Sequence, residues 1–141
     1  MNLQELRKQA RVLSRDSGKY MFTDTMINGF INEGIDRLKQ TIVFHDMEHL
    51  DADADEPDIL PAAYHYILAL YASARCMEYD ERHYEAMDRR NEFETLLSQL
   101  ISDIEASRVE DEEAEEETYL TNKTYADVVT DVYFCRRQDL R

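Results

Sequence analysis

A chain of 141 residues can bury a real core, but three glycines and two prolines are too few for a sandwich or barrel, which needs a turn about every 8 to 12 residues. Thirty-one acidic against sixteen basic side chains give a formal charge of −15, the wrong sign for gripping phosphate backbones. What remains is an all-α fold whose acidic surface DNA would slide past, or which imitates DNA.

The opening MNLQELRKQARVLSRD carries charges throughout and has no apolar h-region, so it reads as a helix and not as a secretory signal. Leu3, Leu6, Ala10 and Leu13 recur at helical spacing, and the helix is expected to end near Ser17 and Gly18. Arg7, Arg11 and Arg15 line another face. A basic stripe on an acidic protein invites contact with the acidic surface of an identical neighbour, so these three are the expected subunit interface, the alternative being a solvated helix face.

Thr23 or Asp24 caps a second helix with a stripe of Ile27, Ile31, Ile35, Leu38 and Ile42, expected to run to about Phe44. The loop DADADEPDILP follows. Its alternating Asp51, Asp53 and Asp55 open like a calcium loop, yet Glu56 stands where the turn glycine belongs and Ala62 where the bidentate glutamate belongs. It is therefore expected to be an acidic connection, with Pro61 in the first turn of the next helix.

That third helix, from about Ile59 to Tyr79, is apolar on most sides and belongs in the middle of a bundle. Its longest apolar run, Tyr66 to Ala74, is too short to cross a bilayer. A fourth helix, from about Glu81 to Ser107, becomes amphipathic at Phe93, Leu96, Leu97, Leu100, Ile101 and Ile104. The expected architecture is a small four-helix bundle over residues 1–107.

Residues 110–117, EDEEAEEE, hold seven acids in eight positions, so residues 108–117 read as a self-repelling linker. Beyond it, residues 118–141 are again rich in β-branched and aromatic side chains. Tyr125, Val128, Val129, Val132, Tyr133 and Phe134 fit a helix or a strand equally well. A short apolar segment behind an acidic tether reads as an extended C-terminal arm that orders on a partner, in preference to a last helix folding back on its own bundle.

Nothing in the chain makes a case for catalysis, a metal or a cofactor. There is no Glu-x-x-His pair of the di-iron type, and His45 and His49 lack the glutamate of a metalloprotease. No phosphate loop or nucleophile elbow is present. His65 on the central helix reads as a hydrogen-bonded core residue, Cys76 as inert packing, and the two cysteines, Cys76 and Cys135, as reduced thiols of an intracellular compartment.

Three segments taken together form a recognisable pattern: TDTMINGFINEGIDRLKQ, then LPAAYHYILALYASARCMEYDE after the acidic loop, then NEFETLLSQL. Over about residues 1–107 the chain resembles the head-tail connector adaptor proteins of tailed bacteriophages. The resemblance implies no enzyme. It implies a helical bundle that assembles into a ring, usually a dodecamer, below the portal protein in the neck of the virion, where DNA passes through without specific binding. It also implies a downstream tail or stopper protein as partner, no membrane, assembly in the host cytoplasm, and a C-terminal arm that grips the portal. Position and composition give that role here to Tyr125, Val128, Val129, Val132, Tyr133 and Phe134. The competing reading from charge and architecture is an acidic regulatory or DNA-mimic protein with a C-terminal peptide arm.

Overall fold

The computed structural model describes the backbone of residues 1–16, 18 and 21–122, and the side chains of the same residues except 42 and 112–122. Within them the protein is all-helical: α1 (Leu3–Ser14), α2 (Asp24–Lys39), α3 (Tyr66–Tyr79) and α4 (His83–Asn122). Single 3-10 turns occupy Ile42–Phe44 and Ala62–Tyr64, and there is no strand among the described residues. The chain divides into two units, Met1–Leu100 and Ile101–Arg141.

In the first unit α3 is the centre, packed against both α1 and α2. Nine of its fourteen residues are buried, from Ile67 to Met77, which is why its sequence lacks a polar face. Leu3, Leu6 and Ala10 of α1 and Ile27, Ile31, Ile35 and Leu38 of α2 are all fully buried. Each such aliphatic side chain contributes about 1.5–3 kcal/mol relative to exposure. Phe93, Leu97 and Leu100 bury the α4 part of this unit.

α1 and α2 end earlier than expected, at Ser14 and Lys39 instead of near Ser17 and Phe44, while α3 ends at Tyr79 as expected. α1 stops at Ser14 because Arg15 turns left-handed (φ 62°) and the Asp16 N–H reaches back to the Arg11 carbonyl at 2.9 Å. α3 stops in the same way: Glu81 has φ 59°, and the Arg82 N–H donates to the Met77 carbonyl at 2.9 Å. Neither position holds glycine, the usual residue for this geometry, so no local signal marks it. At the other end, α3 starts at Tyr66 and not near Ile59, because Pro61 begins a 3-10 turn first.

Helix packing explains the glycine within the INEGI stretch. A Cβ on Gly34 would lie 3.2–3.3 Å from Tyr71 Cδ1, Cβ and Cγ, so the missing side chain is what lets α2 and α3 approach. Tyr71 cannot swing away freely, since its ring meets Phe93 edge-on at 5.3 Å between centroids.

In the second unit the backbone of α4 continues to Asn122, through the residues 108–117 expected to be a linker. Glutamate and alanine are strong helix formers, and each helical hydrogen bond is made within the segment, so the helix needs no core of its own. The arm residues Tyr125, Val128, Val129, Val132, Tyr133 and Phe134 lie outside the described residues.

Gly29 and Gly34 on the same helix should answer alanine with opposite signs. Nothing lies within 4 Å of a Cβ at Gly29, so Gly29→Ala should stabilise by about 0.5–1 kcal/mol through helix propensity. Gly34→Ala should destabilise by about 1 kcal/mol, since overpacking against Tyr71 outweighs that gain. Urea unfolding of both variants followed by circular dichroism checks the pair.

Candidate functional site

The three arginines of α1 do not form an exposed face. Arg11 is only 4% exposed and carries its charge inward: one terminal nitrogen donates to Asp16 at 2.8 Å and to the Phe22 carbonyl at 2.9 Å, the other to Asp24 at 2.6 Å. Asp16 is equally buried and also accepts from the Met21 and Phe22 N–H groups. Arg7 is largely covered and pairs with Asp24 and Asp53 while donating to Asn28. Arg15 alone projects into solvent, 77% exposed, with Glu85 3.9 Å away. The expected stripe is thus corrected: Arg7 and Arg11 spend their charges inside the chain, because α1 packs with its acidic neighbours on the side where they project.

The DADAD loop is the other half of this arrangement. The Leu3 and Gln4 N–H groups, which have no partner within α1, donate to the carbonyls of Asp55 (2.8 Å) and Asp53 (3.2 Å). Asn2 and Glu5 complete the start of α1 with a reciprocal capping box at 2.9 Å each way. The Asp53 carboxylate takes Arg7, and the Asp55 carboxylate accepts the N–H groups of Asp51 (3.0 Å) and Ala52 (2.8 Å). Those two backbone bonds hold the Asp55 carboxyl below its ordinary range. Asn32 on α2 then fixes the upstream end of the loop, donating to the Leu50 carbonyl and accepting from its N–H.

His65 is a hydrogen-bonded core residue, 5% exposed, with Nε2–H donating to the Leu60 carbonyl at 3.0 Å and Nδ1 accepting from the Met1 amine at 2.8 Å. Cys76 is fully buried, and burial, with the nearby Asp16 charge, pushes its thiol up to about 12. It is therefore no nucleophile. His45 lies beside Asp46, and His49 beside Asp36 at 2.7 Å. Among the described residues no group of three or more His, Cys, Asp or Glu side chains could hold a metal ion. No helix among them is long and apolar enough to cross a membrane.

Two concavities stand out among the described residues. One, of about 530 Å³, lies within the loop between α2 and α3 and is walled by Asp46, Glu48, Asp55, Glu56 and Asp58. The other, of about 620 Å³, is an open groove between α3 and α4 of the first unit. Its apolar part is Tyr66, Leu70 and Leu96, and its acidic part is Asp88 and Glu92. Sequence periodicity does not find this groove, since it depends on how far Tyr71 and Phe93 hold the two helices apart. The remaining conspicuous surface is the α3–α4 corner, where Tyr79 is 68% and Tyr84 86% exposed.

Searches with protein-family models, against curated proteins and against solved structures found no match to this chain.

Removing Arg11 strands the buried Asp16 carboxylate, so Arg11→Ala should cost about 3 kcal/mol, whereas Arg15→Ala should stay within about 0.5 kcal/mol. Chemical denaturation distinguishes the two.

Asp55 has a pH signature. Its folded pKa is depressed, so its contribution is complete above the unfolded carboxylate pKa and lost as pH falls through the folded one. The melting temperature of Asp55→Asn should therefore lie below that of the wild-type chain at neutral pH, and the gap should close in acid.

Proposed function

We propose that this chain is a structural head-tail adaptor of a tailed phage, a non-enzymatic protein that forms a ring below the portal and extends the DNA channel toward the tail. The observation that carries the reading is the ordered set of three adaptor-like segments, TDTMINGFINEGIDRLKQ, LPAAYHYILALYASARCMEYDE and NEFETLLSQL, which fall in turn on α2, α3 and α4. Their distinctive residues have defined work in the bundle. Asn32 clamps Leu50, Gly34 admits Tyr71, His65 holds Leu60, and Arg75 pairs with Glu33 and Glu78 over the Phe30 ring.

The acidic balance of the chain suits the wall of a channel, since DNA repelled from all sides passes without sticking. The partners in this reading are the portal protein, further copies of the chain and a downstream tail or stopper protein. Residues 118–141 are the portal-binding arm, with Tyr125, Val128, Val129, Val132, Tyr133 and Phe134 as its apolar contacts. Many arms on one portal would gain further by effective concentration. Arg7 and Arg11 are engaged within the chain, which leaves Arg15 as the member of the α1 stripe available to a neighbouring subunit.

A chain stopped after Ser107 should keep the helical circular dichroism of the first unit and fail to pull down portal protein, while the full chain binds. Equal binding by the two chains would sink the role of the arm. Binding by neither, with portal rings intact, would sink the adaptor reading itself.

A further inference from the structure

The α3–α4 groove has two chemically distinct ends. Tyr71 and Phe93 face each other across the two helices, so the chain reverses direction between them and Tyr66 falls toward Gln99, away from Asp88. Leu96, with Tyr66, marks the apolar end, and both are only half-buried. Glu92 and Asp88 follow on successive turns of α4, about 6 Å apart along its axis. Both acids are exposed.

An occupant must therefore offer an apolar side chain followed at short range by a cation. Residues 134–137 of this chain read Phe-Cys-Arg-Arg. In an extended segment residues 134 and 136 project to the same side about 7 Å apart, close to the one-turn separation of Leu96 and Glu92. Arg137 falls on the opposite side of such a segment, so Arg136 is the cation that meets the acids. Residues 123–141 hold four basic and three acidic side chains, so this segment is net positive while the rest of the chain carries the whole of the −15 and one charge more. An acidic groove attracts such a segment.

We propose that in the absence of another partner the C-terminal segment of one copy lies in the α3–α4 groove of a second copy, with Phe134 between Tyr66 and Leu96 and Arg136 against Glu92 and Asp88. This rests on the reading of residues 118–141 as an arm, and adds that the arm has a holding site on its own kind. A tighter partner displaces the segment.

The test uses the full chain alone, with the photoreactive p-benzoylphenylalanine in place of Phe134. Irradiation should give a covalent dimer whose cross-linked peptides map to Tyr66, Leu70 or Leu96, and mixing isotope-labelled with unlabelled chains should give products joining the two. Asp88→Arg combined with Glu92→Arg should lower the dimer yield several-fold, and adding Arg136→Glu should restore it. Both acids are exposed on α4, so circular dichroism should be the same throughout. A cross-link confined to single chains would overturn the second copy as occupant. Cross-links mapping elsewhere, or a dimer yield indifferent to the charge reversals, would overturn the groove. Because no portal is present, failure here leaves the adaptor reading standing, and failure of portal binding leaves the cross-linked dimer standing.

Discussion

One buried guanidinium organises the first unit. Arg11 joins the end of α1, the segment after it and the first residue of α2 in a single set of bonds, to Asp16, the Phe22 carbonyl and Asp24. Its Nε–H, also buried, has no acceptor, so the cluster is not a perfect cage. A hydrophobic replacement of the whole cluster could be as stable. What charge provides is geometry: a bidentate fork accepts partners only in its own plane, and this fixes where α2 begins relative to α1. Thr23 then caps α2 through the Met26 N–H at 3.2 Å, and the aliphatic stripe of α2 is delivered onto α3.

The residues that carry the phage-adaptor resemblance are, for the most part, engaged in holding helices and loops together. Asn32, Gly34, His65 and Tyr71 face the interior or the loop, and none lines the α3–α4 groove. Such residues report on a scaffold. What a scaffold touches is decided by its surfaces, and here these are the groove, the exposed corner of Tyr79 and Tyr84, and the acidic loop.

Helix number, the Thr23 cap, the central place of α3 and the core roles of His65 and Cys76 were legible because each rests on periodicity or a local bond. The arginine stripe was misread because helical spacing places side chains on a face without saying what packs there. Arg11 and Asp16 become buried only through one another. The end of α1 was missed because Arg15 adopts the left-handed conformation with no glycine to announce it, whereas α3 ends at Tyr79 as expected. Residues 108–117 were read by their charge, and their helix propensity decided the backbone instead. The DADAD loop was read only as an acidic connection, and its hold on α1 was invisible, since the amides it caps lie about fifty residues earlier in the sequence.

That partnership has a kinetic side. The first amides of α1 are capped by carbonyls roughly fifty residues further on, and Arg7 draws on the same loop, so α1 cannot complete its start until α2 and the loop are already in place. α3 and α4, by contrast, are neighbours joined by a tight turn. α1 nevertheless packs on α3 more extensively than any other pair of elements, so its dependence on the loop lies in its first turn and not in its hold on the core.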